Sequence, residues 1–155
     1  MFDLFQAPVR YLLPKKARTL PEALIGSISL KQSRQYCTQV PLPFAIEHVA
    51  KQERLNRRKL LEISAKRLGL GFACNLRPPG RQLLLKAGFS VPSLEERFIL
   101  PQESAIAPAG YALVVADPST IQIPEFERDG VQVLLGLGSE IASAWRNFKA
   151  IRANR

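Results

Sequence analysis

The chain has 155 residues, of which 46% are hydrophobic, and its 22 Lys and Arg against 13 Asp and Glu give a formal net charge of +9. This length suits one ordinary domain or two small ones, and no apolar run approaches the roughly 20 residues needed to cross a bilayer. Cys37 and Cys74 lie far apart without metal-ligand spacing and the N-terminus lacks a secretory-signal pattern, so reduced thiols and a cytoplasmic location are expected.

Residues 1–42 are interrupted by prolines from Pro8 onward, which restrict the backbone and break regular structure. This pattern predicts an irregular N-terminal arm. The arm carries apolar side chains such as Phe2 and Tyr11, each unfavourable in water by roughly 1.5–3 kcal/mol. We therefore expect it to pack against the domain or against a partner.

Residues 43–88 have the apolar spacing of two short helices joined by a turn. Asn56 is placed to cap the second helix, and Gly69 to end it in a left-handed conformation. The face opposite the apolar stripe is basic, which predicts a helical subdomain with a cationic surface. The candidate partner-binding residues are Arg54, Arg57, Arg58, Lys59, Lys66 and Arg67.

The positive charge is concentrated in the first half of the chain. Residues 1–86 carry 16 Lys and Arg against 5 Asp and Glu, whereas residues 87–155 carry 6 against 8. This asymmetry predicts two structural units, the first facing an acidic protein, a nucleic acid or a lipid surface. The alternative is a solvated basic face without a dedicated partner.

Residues 89–155 change from helical periodicity to short apolar runs separated by turns. Three runs are predicted strands, and a short helix or turn crosses between the second and the third. A final helix, capped by Ser139, places Trp145 and Phe148 at steps typical of a buried stripe. The prediction is an α+β fold, in which a helical subdomain precedes a small three-stranded β-β-α-β-α sandwich packed by the C-terminal helix.

The sequence contains none of the phosphate-binding, zinc-protease or serine-hydrolase motifs that would indicate catalysis. His48 has no other potential ligand or nucleophile near it in the sequence, so we interpret it as a surface residue. Neither a metal site nor a cofactor is predicted. Asp117 follows a buried strand, where a catalytic carboxylate could lie, but Asp117-Pro118 before Ser119 is also typical turn chemistry. We interpret Asp117 and Pro118 as a structural corner and expect no enzyme activity.

Four short motifs in residues 43–152 are similar to the N-terminal domain of type II secretion and type IV pilus assembly ATPases. That family has a Leu-Gly-Leu turn after a helix, a strand leading toward Pro, a strand ending in Ala-Asp-Pro, and Ser-Glu-Ile opening the last helix. Gly71 stands where the family usually has Pro, and residues 1–42 match none of its features. The matching residues are Leu68-Gly69-Leu70, Leu100-Pro101, Ala116-Asp117-Pro118 and Ser139-Glu140-Ile141.

The resemblance implies a docking role at the cytoplasmic face of the inner membrane. Its implied partner is the cytoplasmic region of an inner-membrane assembly protein, and the family's ATPase domain is expected to be missing. Some relatives bind a cyclic dinucleotide through an Arg-Leu-Gly-x-x-Leu repeat with a downstream Gln; Arg67-Leu68-Gly69 begins like that motif, but the rest does not follow. A cyclic-dinucleotide-binding regulatory domain is therefore an alternative hypothesis. A nucleic-acid-binding regulator that uses the same basic helices is a further hypothesis, and a steep salt dependence of binding would distinguish it.

Overall fold

The computed structural model describes residues 17–88 and 90–153, and its mixture of helices with one small sheet confirms the α+β prediction. Its helices are α1 (Leu20–Leu24), α2 (Leu30–Gln39), α3 (Ala45–Gln52), α4 (Arg57–Leu68), α5 (Arg81–Ala87), α6 (Val91–Glu96), α7 (Ile123–Arg128) and α8 (Gly138–Ala153). The strands are β1 (Gly71–Phe72), β2 (Ile99–Glu103), β3 (Tyr111–Val115) and β4 (Gln132–Leu135). Two 3-10 turns lie at Leu42–Phe44 and Pro118–Thr120.

The predicted irregular arm was wrong for the part that the structure describes, because α1 and α2 form there. Pro21 lies in the first turn of α1, where a missing N–H leaves no intrahelical bond unmade. The hydroxyl of Ser29 accepts from the backbone of Gln32 at 3.1 Å, and the Gln32 side chain accepts from the backbone of Ser29 at 3.0 Å. This capping box starts α2. Residues 1–16 of the predicted arm lie outside the described residues.

The predicted helix pair is confirmed as α3 and α4. Their apolar faces pack with α1 in a helical core that includes Leu24, Val49 and Leu61. Asn56 caps α4 by accepting from the backbone of Lys59 at 2.9 Å. Gly69 ends the helix with φ +74°.

The sheet has four strands in the order β1-β4-β3-β2, so the prediction of three strands was wrong. The added strand, β1, pairs in parallel with β4, with Gly71 opposite Leu134. A two-residue strand has no periodicity to detect, so only its neighbour reveals it. The three predicted strands are confirmed: β2 and β3 are antiparallel, and β3 and β4 are parallel across α7.

The sheet joins two hydrophobic cores. On one side, Trp145 of α8 is fully buried, and its indole N–H donates to the Ile99 carbonyl at 3.0 Å. On the other side, Leu135 at the end of β4 and Leu137 beyond it complete the helical core. The two halves of the chain are therefore packed against the same sheet.

The first turn of α8 lies against the helical half. The helix begins at Gly138, so Leu137 is the N-cap residue and the expected cap at Ser139 was wrong by two positions. Instead, the backbone N–H of Ser139 donates to the Glu47 carboxylate of α3 at 2.9 Å. Gly138 is packed so closely on the Pro43 carbonyl that an added methyl group would overlap it.

Candidate docking surface

The turn between α3 and α4 has the geometry of a helix-ending Schellman motif. The Leu55 N–H donates to the Ala50 carbonyl at 2.8 Å, a bond from the sixth residue back to the first. The residue before Leu55 in this motif must be left-handed, and Arg54 adopts φ +54° there. Glycine is preferred at that position because a β-carbon is strained in this conformation.

The end of α4 repeats the motif with the preferred residue. The Leu70 N–H donates to the Ala65 carbonyl at 2.8 Å, and Gly69 supplies the left-handed position. One turn holds Arg54 at the left-handed position and the other holds Gly69, whose N–H also bonds to the Lys66 carbonyl at 3.0 Å. The arginine side chain is thus displayed at a position where glycine would be more stable.

Five of the six candidate binding residues are exposed. Every side chain from Arg54 to Lys59 is exposed, and this run, which we name the cationic corner, contains no acidic residue. Lys66 extends the positive surface along the outer face of α4, opposite the buried side chains of Leu61 and Ala65.

Arg67 differs from the other five because its guanidinium lies against the scaffold. It donates to the Ala23 carbonyl at 2.8 Å and to the Ser27 hydroxyl at 3.1 Å. It also contacts Gly26, which has φ +108°. These bonds tie the end of α4 to the turn after α1, so Arg67 is half-buried. The Arg67-Leu68-Gly69 sequence therefore lies at the C-terminus of α4, and its arginine connects that helix to the turn after α1.

Most acidic residues of the helical half bond to hydrogen-bond donors of the fold. Residues 17–88 contain 13 Lys and Arg and only 4 Glu. The Glu53 carboxylate accepts from the Tyr36 hydroxyl and from the Gln32 amide, the latter at 3.3 Å. Glu47 accepts from Ser139, and Glu22 accepts from the backbone of Arg18 at 3.2 Å. Three of the four carboxylates thus serve backbone or side-chain donors of the fold.

Glu62, the fourth carboxylate, is exposed on α4 one turn from Arg58 and Lys59, but it forms no ion pair with them. Within residues 17–88 and 90–153, the one ion pair is Lys149–Glu95 at 2.5 Å, which lies in the other half of the chain. The positive charge of Arg58 and Arg57 also reaches the nearby Cys74 thiol. Burial and Glu140 raise the pKa of Cys74, and the two arginines partly oppose that shift. This surface is cationic and open, and it lacks an activated nucleophile.

Asp117 lies two residues beyond the end of β3, and one of its carboxylate oxygens bonds to the following turn. One oxygen accepts from the Ser119 backbone at 3.1 Å and from the Ser119 hydroxyl at 2.8 Å. Pro118 is the first residue of the following 3-10 turn, where its fixed φ suits the helical start. The arrangement is that of a strand-to-helix corner.

Among residues 17–88 and 90–153, His48 and the two cysteines have separate surroundings. His48 bonds the Gln39 side chain at 2.6 Å and meets Tyr36 edge to face. Burial raises the pKa of the Cys37 thiol, and both cysteines are free. Among the described residues, no group of three or more His, Cys, Asp or Glu could hold a metal ion. None of the helices placed between residues 17 and 153 combines the length and apolarity required to span a bilayer.

Two open clefts of about 470 and 240 Å³ lie beside the β2–β3 hairpin. Gln82 and Lys86 line the first, and Pro108 and Glu127 line the second. No residue of the cationic corner borders either cleft. The corner is a projecting turn and not a groove.

Leu55 is a candidate contact that the sequence analysis did not single out. It is 41% exposed and lies between Arg54 and the Asn56 cap. Its position five residues after Ala50 puts it out of phase with the buried stripe of α3, and this is the signal that could have revealed it. The corner therefore presents four cations together with one large apolar side chain.

No protein-family model matches the chain, and no curated protein is similar enough to count as a relative.

Proposed function

We propose that the chain is a non-enzymatic docking domain that binds an acidic protein surface through the cationic corner and Lys66. One observation carries the proposal: the corner cations and Lys66 are exposed and form no ion pair within the described residues, while three of the four carboxylates of residues 17–88 bond to the fold. Such a surface attracts an acidic partner over distances near the Debye length, about 8–10 Å at physiological salt.

The geometry behind the surface supports docking. The corner is held by a backbone bond at Leu55 and by the Asn56 side-chain cap, so little ordering is needed on binding. Helix α4 rests on a buried core shared with β4. A rigid support with outward cations suits recognition of a folded partner.

The resemblance to secretion and pilus ATPase N-terminal domains supports a specific partner class. We propose the cytoplasmic region of an inner-membrane assembly protein of a bacterial secretion or pilus system, with the chain located at the cytoplasmic face of that membrane. Arg67 would stabilise the surface from behind, since its guanidinium is engaged with Ala23 and Ser27.

Charge reversal tests this function. The partner is first captured from cell extract with and without nuclease, then purified, and its Kd is measured for the wild type and for R57E/R58E/K59E. We expect the triple variant to weaken binding by about tenfold or more, because it replaces attraction with repulsion at three exposed positions.

The matched control reverses three exposed arginines outside the corner, Arg77, Arg81 and Arg146, with the same change in net charge. This control should bind within about twofold of the wild type. Equal affinity of the R57E/R58E/K59E variant and the wild type would remove the corner from the docking surface. Capture that disappears with nuclease, with a steep salt dependence on DNA or RNA, would favour the nucleic-acid hypothesis instead.

A further inference from the structure

Leu55 stands out among the exposed apolar side chains because cations surround it in the chain. Arg54 precedes it, and Arg57, Arg58 and Lys59 follow within four residues, all exposed. Burying the exposed part of a leucine side chain on binding is favourable, because it removes apolar surface from water. A partner that binds this corner favourably must therefore attract positive charge and bury an aliphatic side chain at the same place.

Two hydrogen bonds fix the chain on either side of the Leu55 side chain. The Leu55 N–H is bonded to the Ala50 carbonyl at 2.8 Å, and the next residue, Asn56, is fixed by its bond to the Lys59 N–H at 2.9 Å. The side chain remains 41% exposed under these constraints. The exposed part of Leu55 is therefore open to a partner surface.

The surface beside the corner has a similar composition. The Gln32 amide bonds to Glu53, which brings the first turn of α2 to the end of α3. That turn carries Leu30, 49% exposed, and the exposed Lys31. A second pairing of an exposed leucine with a cation therefore lies next to the first.

A peptide, a nucleic acid and an anionic bilayer differ in how they can accommodate the Leu55 side chain. A peptide that binds in a groove would need one at the corner, and residues 54–59 line neither of the two clefts beside the β2–β3 hairpin. Nucleic acid would satisfy the cations, but bases stack on aromatic rings, and residues 54–59 contain none. An anionic bilayer takes both groups, because lipid phosphates attract Lys and Arg while the interface buries an aliphatic tip.

We propose that the cationic corner also contacts the surface of an anionic lipid bilayer, with Arg54, Arg57, Arg58 and Lys59 at the phosphate level and Leu55 inserted between the headgroups. This lipid contact goes beyond the docking function and does not require the protein partner. Each Lys or Arg near an anionic bilayer contributes roughly fivefold in affinity, so four of them give measurable but reversible binding.

The test is flotation of the purified full chain with vesicles containing about 30% phosphatidylglycerol in phosphatidylcholine, compared with pure phosphatidylcholine, at low salt and at about 0.5 M salt. We expect binding to the anionic vesicles alone, and its loss at high salt. R57E/R58E should reduce partitioning by at least about tenfold, and L55S by about fivefold.

The matched controls change the same chemistry elsewhere. R128E/R146E alters net charge by the same amount at exposed positions of α7 and α8, and L85S removes a leucine that is 82% exposed on α5. Both controls should stay within about twofold of the wild type. Thermal unfolding of each variant verifies the fold, and R57Q/R58Q replaces the reversal if that variant does not fold.

Equal binding to both kinds of vesicle, or an equal loss in the corner variants and the controls, would overturn the lipid contact. So would binding to a DNA duplex that R57E/R58E abolishes and L55S leaves unchanged, in the absence of vesicle binding. Either result leaves the docking function intact, since the affinity for the protein partner is measured without lipid.

Discussion

Arg54 and Gly69 occupy the same left-handed position in two copies of one helix-ending motif. Glycine at this position would make the folded protein more stable, so Arg54 lowers the stability. Such losses of stability are found at positions where function determines the residue. The strain comes from the left-handed backbone and the charge from the side chain, so different substitutions of Arg54 can test the two effects separately.

R54G is expected to raise the free energy of unfolding by about 0.5–1 kcal/mol, because it relieves the left-handed strain. The same variant should bind the partner or anionic vesicles more weakly than the wild type. R54A is the control, since it removes the charge and keeps the β-carbon. Urea unfolding and a binding titration measure the two effects, and an R54G variant no more stable than R54A would contradict the account of the turn.

Tyr36 makes the stability of the helical half sensitive to alkaline pH. Its hydrogen bond to Glu53, followed by burial and the Glu53 charge, raises the pKa of Tyr36 above 10.0. The folded state thus favours the neutral phenol, and this stabilisation is full below about pH 10 and is lost as the pH rises through the raised value. Y36F should lower the free energy of unfolding by a constant amount at neutral pH and by a shrinking amount above about pH 10.

Urea titrations of the wild type and Y36F between about pH 7 and 11 would check this. A difference in stability that stays constant over the whole range would show that the phenol is not coupled to Glu53. Taking the difference cancels the titration of groups that the two proteins share.

At the scale of elements, the decisive contact is the packing of the first turn of α8 on the 3-10 turn before α3. Gly138 allows the approach because a β-carbon there would overlap the backbone carbonyl of Pro43. Glu47 completes the contact by accepting from the Ser139 N–H. This contact couples the helix that covers the sheet to the helices that carry the cationic corner.

G138A should lower the free energy of unfolding by about 1–3 kcal/mol, because a rigid backbone atom must move to admit the methyl group. Intrinsic helix propensity alone predicts the opposite sign, since alanine is the better helix former. G80A is the control: nothing lies within 4 Å of an added methyl group at that helix start. Unchanged stability of G138A in chemical denaturation would rule out close packing at this position.

At the scale of the whole molecule, the two units expected from charge and periodicity share one sheet. Strand β1 follows the helical half and pairs with β4, while Leu135 and Leu137 contribute to the helical core. Neither half therefore buries its apolar surface without the other. The cationic surface and the sheet-covering helix belong to a single cooperative structure.

This coupling predicts one transition in scanning calorimetry, with equal van't Hoff and calorimetric enthalpies. G138A should shift that transition to lower temperature without splitting it. Two resolved transitions, or a calorimetric enthalpy well above the van't Hoff value, would show that the halves unfold separately.

Local sequence was sufficient for features whose cause lies within a few residues. Asn56 and Gly69 mark the ends of α4 correctly because capping depends on the side chain or backbone at one position. The three longer strands and α8 were predicted because each buries a periodic apolar face. Helix α2 was not predicted, because most of its side chains are polar and its Ser29–Gln32 capping box lies in a proline-rich segment.

The sequence by itself determined the α+β class, the helix pair, the three longer strands and the excess of positive charge in the first half, since periodicity, capping and charge are properties of neighbouring residues. Only the tertiary structure decided that β1 joins the sheet, that Arg67 ties α4 to the turn after α1, and that Glu53 faces Tyr36 and not Arg54. Those outcomes depend on which distant groups meet, because a hydrogen bond or strand pairing forms only when packing brings its two partners together. The same packing leaves the corner cations free for a partner and holds Leu55 in the solvent beside them.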